Sequence, residues 1–329
     1  MSNNYRAFVA GTDKGAYVRG VREVAQADLP EGSVRVRVAY SDVNYKDHLA
    51  ASENGRVARI DPIIPGIDFA GEIIQSKASE WSSGDVVLAH GYDIGVSRDG
   101  GFAEEAIVPS EWLVRLPKTM TARRAVTIGT AGFTAGLSVQ AILDAGIKPS
   151  AGPVLVTGAT GGVGSVAIAL LSQLGYTVVA STGRVERADW LTQLGASEVI
   201  DRLPSDAKPL GRETWAAAVD SVGGTTLHAA LAGVRYGGIV AASGNTGGMK
   251  LDTTVFPFIL RAVSLVGIDS VQCPMSVRQD TWDWIAATLD ERHYDLLAGE
   301  VVNLDGVDDA LQRIASGSAE GRTLVELAN

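Results

Sequence analysis

Residues 154–164 read VLVTGATGGVG, four residues of apolar strand and then a turn carrying Gly158, Gly161, Gly162 and Gly164. A chain gives up backbone order on this scale where a tight turn needs glycine's torsional freedom, or where backbone must approach another group closely. The following GSVAIALLSQLG (164–175) spaces its apolar residues as an amphipathic helix does. Strand, glycine turn and helix inside a βαβ unit are the setting in which a dinucleotide pyrophosphate rests on a helix N-terminus. A tight turn in an α/β domain that binds no nucleotide has the same spacing.

The neighbouring sequence supplies the rest of such a sheet. From Pro153 to about Ser270 strand and helix patterns alternate: TVVAS (177–181), ERADWLTQLGA (186–196), EVIDR (198–202), AAAVDSV (216–222), a helix near 225–233 and GGIVAASG (237–244). That order predicts a parallel sheet with helices on both faces. Upstream the chain is β-rich. VRVRVA (34–39) alternates apolar and charged residues as a strand with one wet face does, and short strands are expected near Gly71–Ile74, Val86–Ala89 and Ala106–Pro109. Residues 122–146 have helical spacing, with Gly129 and Gly132 as candidate breaks. The tail carries strand patterns at 301–305 and 322–327 around a helix near 307–316, and is expected to return to the first domain. The division is therefore a β-rich domain of residues 1–122 and 302–329 and a dinucleotide-binding domain of residues 123–301. FILRAVSLVGID (258–269) reads as a buried or edge strand.

The strand TVVAS chooses the nucleotide. NAD-binding chains usually end this strand on Asp or Glu, which bonds the ribose diol. Here it continues Ser181-Thr182-Gly183-Arg184, with no acid. Hydroxyls and a guanidinium suit a 2′-phosphate that a carboxylate would repel, so NADPH is favoured over NADH. Arg184 also reads as a solvated residue opening a helix.

Several classes are disfavoured by the totals. The chain has 329 residues, 28 Lys and Arg against 38 Asp and Glu, and a net charge of −10. Nucleic-acid and anionic-membrane partners are not expected of it. No apolar run approaches the ~18 residues of a membrane span, the N-terminus lacks a signal-peptide layout, and the cytoplasm is the expected location. The single cysteine, Cys273, excludes an internal disulfide. His48, His90, His228 and His293 show no metal-ligand spacing.

Seven segments in order, SDVNYKD (41–47), PGIDFAG (65–71), IGTAGFTA (128–135), TGATGGVG (157–164), TGR (182–184), TTVFPFILR (253–261) and GRTLV (321–325), carry a resemblance over essentially the whole chain. The sequence resembles the medium-chain dehydrogenase/reductase superfamily and, within it, the acryloyl-CoA reductase family. The resemblance implies an α/β fold, with a Rossmann parallel-sheet domain beside a β-rich GroES-like catalytic domain. It also implies a homodimer.

Where zinc-dependent relatives place a cysteine this chain has Asn44-Tyr45-Lys46-Asp47, and where they place the histidine of a G-H-E motif it has Gly66-Ile67-Asp68. The third ligand region, Gly129-Thr130-Ala131, has no cysteine. A zinc-free member is expected. Without a Lewis acid, hydride addition to an activated C=C bond is easier than carbonyl reduction, because the charge spreads into an enolate that hydrogen bonds stabilise. The implied activity is NADPH-dependent reduction of acryloyl-CoA to propanoyl-CoA, with a quinone or 2-alkenal reductase as the alternative. An NADPH-binding protein with a structural or sensing role is the reading from another class.

The family implies cofactor contacts at Tyr45, at Thr160, Gly161, Gly162 and Val163 for the pyrophosphate, and at Thr182, Gly183 and Arg184 for the adenosine phosphate. Arg202 and Arg322 are further contacts, and Ser243, Gly244, Asn245 and Ser270 border the nicotinamide side. Asn44 and Tyr45 are the candidates for steadying the thioester oxygen, with a turn-stabilising Asn44 and a packing Tyr45 as the plainer readings. Asp47 and Asp68 are expected to organise loops rather than act as an acid–base pair. The segment 91–99 departs from the family and could shape the substrate mouth.

Overall fold

Val34, Val36 and Val38 alternate along one strand with no exposed surface, which is the period of two read from the sequence. The alternate face is not uniformly wet. Arg37 is exposed, but Arg35 is only 4% exposed and pairs with Glu105 at 3.2 Å. Glu105 belongs to a strand paired edge to edge with this one, and the Arg35 guanidinium also donates to the Ala27 carbonyl at 2.5 Å.

The computed structural model describes residues 4–319 and 321–327. Among these the chain divides into two units, one comprising the residues up to Thr130, Val271–Asp283 and those from Ala298 onward, the other Ala131–Ser270 and Trp284–Leu297.

The first unit begins with β1 (Asn4–Asp13) and β2 (Ala16–Ala25), an antiparallel hairpin. It continues with β3 (Ser33–Asp42), α1 (Tyr45–Ala50), β4 (Asp68–Ser76), β5 (Val86–His90), β6 (Glu105–Pro109) and β7 (Leu113–Arg115). Then comes α2 (Ala122–Asp144), which belongs to the first unit up to Thr130 and to the second from Ala131, and whose Gly129 has non-helical torsions (φ 56°, ψ −166°) that split it into two helical pieces. By length and composition α2 is apolar enough to cross a membrane, yet most of its apolar window is buried inside the protein. Neither piece by itself reaches the ~20 residues of a span.

The second unit is built on β8 (Val154–Thr157), α3 (Gly162–Gln173), β9 (Val178–Ser181), α4 (Ala188–Leu194), β10 (Glu198–Ile200), β11 (Trp215–Asp220), α5 (Gly224–Gly233), β12 (Val234–Ala242), α6 (Phe256–Arg261) and β13 (Ser264–Gly267). Its six strands are all parallel, in the order β10-β9-β8-β11-β12-β13. This is the doubly wound order 3-2-1-4-5-6 of a Rossmann sheet, with the glycine turn leaving its central strand. Every residue of β8 is buried, as expected of a strand covered on both faces. Leu155, Val179, Ala218 and Val240 pack with Leu227, Ala230 and Leu231 of α5 in one core. The stretch 258–269 is not one strand: its first half is the end of α6, and β13 follows at the sheet edge.

α7 (Met275–Thr288) and α8 (Glu291–Leu297) lead to β14 (Ala298–Asn303), α9 (Val307–Ala315) and β15 (Arg322–Glu326). β15 pairs antiparallel with β3, setting Leu324 opposite Asp42, so the tail does return to the N-terminal sheet, ordered β14-β15-β3-β4-β5-β7. Of α7, the first unit includes 275–283, which the sequence division had given to the nucleotide-binding domain. Trp282 is fully buried there.

Candidate functional site

In the second unit the polar groups gather at the C-terminal ends of β8 and β9. Gly158 turns the chain out of β8 with φ +58°, and a Cβ on Gly164 would sit 2.5 Å from the Gly158 carbonyl oxygen. Turn and helix touch backbone to backbone, and only glycine allows it. Gly161 is the N-cap of α3 and gives the first N–H groups of the helix no side-chain acceptor, the arrangement found where helix starts meet anions. Gly162 and Val163 form the first turn of that helix.

Thr160 and Thr182, from the ends of successive strands, bring their hydroxyls to 3.2 Å. Arg184 donates to the Thr160 hydroxyl from Nε at 3.2 Å and from Nη2 at 3.0 Å, while its backbone N–H donates to Thr182 Oγ1 at 3.0 Å. Arg202 lays its guanidinium against the backbone of Gly183. Two cations and two hydroxyls thus surround the turn after β9, where a diol-binding carboxylate would otherwise stand. These donors, and the close approach allowed at Gly164, fit a dinucleotide bearing a 2′-phosphate.

Ser243 and Gly244, with Ala242, Gly267, Ile268 and Asp269, line a pocket of about 380 Å³ at the ends of β12 and β13. Ser270 directly follows this lining, and Asn245 is exposed, its carbonyl accepting from the Gly248 N–H at 3.0 Å. Beneath them lies Asp220, a residue the sequence reading passed over. It accepts from Thr157 Oγ1 at 2.6 Å and from the Gly223 N–H at 2.8 Å, and burial raises its pKa. An acid closing an apolar strand (AAAVD) was the available signal.

The first unit holds a different kind of site. Asn44 is the N-cap of α1, and its own N–H donates to Asp47 Oδ2 at 2.8 Å. The other oxygen of Asp47 accepts from the Gly66 and Ile67 N–H groups at 3.0 and 2.8 Å, which ties the loop before β4 to α1. Asp47 therefore organises loops. Burial, and then the charge of Asp68, push its pKa up to about 7 against those three hydrogen bonds.

The Asn44 amide is equally engaged. Its Nδ2 donates to Asp42 Oδ1 and Asp68 Oδ1, both at 3.2 Å, and its Oδ1 accepts from Arg322 Nη2 at 3.3 Å. Arg322 forms an ion pair with Asp42, and its burial lowers its pKa to about 10. Asp68 also accepts from the Thr130 N–H at 2.6 Å, and burial pushes its pKa up to about 6. Gly129, at φ +56°, lets the chain slip past this cluster: a Cβ there would lie 2.6 Å from Arg322 Nη2 and 2.8 Å from Asp42 Oδ2.

The structure thus joins Asn44 to Arg322 inside the first unit, with Asp42 as the member the sequence reading did not single out. The Arg322 guanidinium, expected at the nucleotide, is held among these carboxylates. Tyr45 differs from its neighbours. It is 44% exposed, with its ring 6.0 Å from that of His48. Among the described residues no group of three or more His, Cys, Asp or Glu is arranged to hold a metal ion.

Two family profiles match the chain: one described as "Alcohol dehydrogenase GroES-like domain" over residues 30–118 and one described as "Zinc-binding dehydrogenase" over residues 162–287. "Putative quinone oxidoreductase YhfP" of Bacillus subtilis is 46% identical, covering 99% of this chain and 100% of that one. The crystal structure of YhfP, solved with NAD bound, superposes with a TM-score of 0.95. "Acrylyl-CoA reductase AcuI" of Ruegeria pomeroyi is 43% identical, over 98% of this chain and 99% of its own. The YhdH oxidoreductase of Salmonella enterica, solved in complex with NADP, is 43% identical with a TM-score of 0.94, over 98% and 99% of the two chains. With these likenesses running the length of both units, the chain belongs to the medium-chain dehydrogenase/reductase superfamily, as an oxidoreductase of the family of acryloyl-CoA reductases and quinone oxidoreductases.

Proposed function

We propose that the chain reduces the activated C=C bond of acryloyl-CoA to propanoyl-CoA with NADPH, without a metal. The observation that carries the cofactor is the Thr160, Thr182, Arg184 and Arg202 group around Gly183, which offers donors and no acid at the ribose position. The substrate is supported by the name of the Ruegeria relative. When bound, NADPH supplies the hydride for the β-carbon. Thr160, Gly161, Gly162 and Val163 hold the pyrophosphate at the start of α3. Ser243, Gly244, Asn245 and Ser270 border the nicotinamide.

The developing enolate oxygen needs a donor that strengthens as charge arrives. Tyr45, the exposed first residue of α1, fits that task through its hydroxyl. Asn44, with both ends of its amide engaged by Asp42, Asp68 and Arg322, acts as a positioning residue that fixes where Tyr45 starts. A Tyr45→Phe variant should lose kcat on acryloyl-CoA by ten- to a hundredfold while keeping its affinity for NADPH, read by fluorescence titration.

Steady-state oxidation of NADPH and of NADH by EDTA-treated protein, offered acryloyl-CoA, free acrylate, crotonyl-CoA and benzoquinone in parallel, tests the reading. Turnover concentrated on acryloyl-CoA and lost with NADH is expected. Turnover on the quinone alone would favour a second reading, a quinone or 2-alkenal reductase, which has the printed name of the Bacillus relative behind it. Equal rates with both nucleotides would count against the role given to Arg184, and the NAD bound to that relative makes this comparison informative. Bound NADPH with no turnover on any of the four would point to a binding protein.

A homodimer belongs to the same proposal. Ile259 and Leu260 of α6 are 68% and 57% exposed beside β13, the edge strand of the parallel sheet. Sedimentation equilibrium should return twice the monomer mass.

A further inference from the structure

A CoA thioester carries a diphosphate and a 3′-phosphate, and a chain of net charge −10 repels such an anion unless cations stand where it docks. Arg261, one cation the sequence offers, is engaged elsewhere. It donates to the Ala232 and Gly211 carbonyls at 2.8 and 2.6 Å and pairs with Glu213 at 3.6 Å. Arg59 and Arg98 are differently placed. Among the described residues neither forms an ion pair. Asp99 lies near enough for the Arg98 charge to act on it, but its Oδ1 accepts from the Ile64 N–H at 2.9 Å and burial raises its pKa.

Both arginines sit on loops bordering the Asn44–Asp68 end of the first unit. Asp68 is paired with His90, and Ala89 with Leu113, so residues just beyond β5 and just before β7 lie at that end of the sheet. The Arg59 N–H donates to the Val96 carbonyl at 2.8 Å and joins the two loops.

Arg98 is held in place by a ladder of side chains. Its guanidinium carbon lies 5.5 Å from the centre of the Trp112 ring. Trp112 stacks on Tyr92 with centroids 5.0 Å apart and planes within 15°. Tyr92 in turn lies against the guanidinium of Arg278, 4.5 Å away, and Arg278 is fully buried. The ladder runs from the core to a half-buried cation that forms no ion pair among the described residues, with Asp99 as its neighbouring carboxylate. A guanidinium held over an aromatic face loses little freedom on meeting a phosphate, and its N–H fork matches phosphate geometry.

We propose that Arg98, with Arg59 on the adjoining loop, binds the phosphates of coenzyme A and makes the enzyme selective for CoA thioesters over phosphate-free acceptors. This rests on the acryloyl-CoA reading above, and it assigns a task to the loop 91–99.

The test compares acryloyl-CoA with acryloyl-N-acetylcysteamine, the same reactive thioester without phosphates. In Arg98→Gln the ratio of kcat/KM for the CoA ester to that for the short ester should fall about tenfold, the loss of one charge-assisted hydrogen bond. Arg59→Gln, which leaves the ladder intact, should lower the ratio less, and Arg98→Lys should restore part of it. An unchanged ratio in both glutamine variants, with wild type still turning over acryloyl-CoA, would overturn the phosphate site and leave the acryloyl-CoA reading standing. Wild type that reduces benzoquinone and neither thioester would instead overturn that reading. Calorimetric titration of coenzyme A into the protein with NADP saturating then judges the arginines alone: weaker binding in Arg98→Gln supports the site, and no binding to wild type overturns it.

Discussion

In the nucleotide-binding unit Arg184 meets Thr160 across 24 positions of sequence, whereas in the other unit Arg322 meets Asn44 across 278. The first group is half open, made of hydroxyls and a guanidinium at strand ends. The second is closed, with Asp42, Asp68 and Arg322 buried together around one amide. Parallel strands put neighbouring loops at one edge, so a site there assembles from nearby sequence and stays accessible to a ligand. A site built where the C-terminal strand joins an N-terminal sheet needs the whole unit folded first, and its charges must satisfy one another.

The sharpest way to break that contrast is to remove the cation from the closed site. Arg322→Met leaves Asp42 and Asp68 facing each other without compensation, and urea unfolding should report a loss of about 3–5 kcal/mol. A loss under about 1 kcal/mol would mean that the carboxylates take up protons instead. In the open site, Arg184→Gln should raise the dissociation constant of NADPH about ten- to a hundredfold and leave that of NADH unchanged, with unfolding in the absence of nucleotide barely affected. Equal weakening of both nucleotides would make Arg184 a structural residue.

Gly164→Ala asks whether the open site is also a packing site. The added Cβ would meet the Gly158 carbonyl oxygen at 2.5 Å, so a cost of about 1–3 kcal/mol in stability is expected together with weaker nucleotide binding. Gly161→Ala, with that oxygen at 3.2 Å, should cost less.

The smallest effect, taken one pH unit at a time, is one of pH. Asp47, with Asp68 as its charged neighbour and Asp42 and Arg322 beyond, has a folded pKa of about 7 against 3.8 for the free side chain. The folded state binds the extra proton, so stability is greatest toward pH 4 and falls as pH rises through 7, by about 1 kcal/mol between pH 6 and 7. Asp47→Asn should flatten that slope in a series of urea titrations, although it also loses an acceptor for the backbone N–H groups it clamps. A flat profile between pH 4 and 7 would mean that Asp47 stays ionised in the folded state.

The sheet of the second unit was legible because most of its strands carry a short apolar run closed by glycine or a polar residue, a pattern that local sequence carries. Only β13 was misjudged, because the break after Arg261 lies inside an apolar stretch: Ala262 takes φ +50°, a conformation nothing in FILRAVSLVGID signals. Arg35 was misread for a related reason. Its strand alternates correctly, but the partners that hold its guanidinium, Glu105 and the Ala27 carbonyl, come from other segments. The seven motifs carried the family, and with it the candidate site.

By itself the sequence determined the parallel sheet and its glycine turn, the absence of an acid after the second strand of that sheet, and the family. The first two rest on residues close together in the chain, where propensity and spacing act directly, and the family on motifs each of which is local. Only the tertiary structure decided that Arg322 and Asn44 complete a buried ionic cluster while Tyr45 keeps its exposure. It alone also revealed that Arg98 stands on an aromatic ladder rooted in Arg278. Those outcomes depend on which distant strands pair and what they cover, and burial and charge compensation are properties of that arrangement.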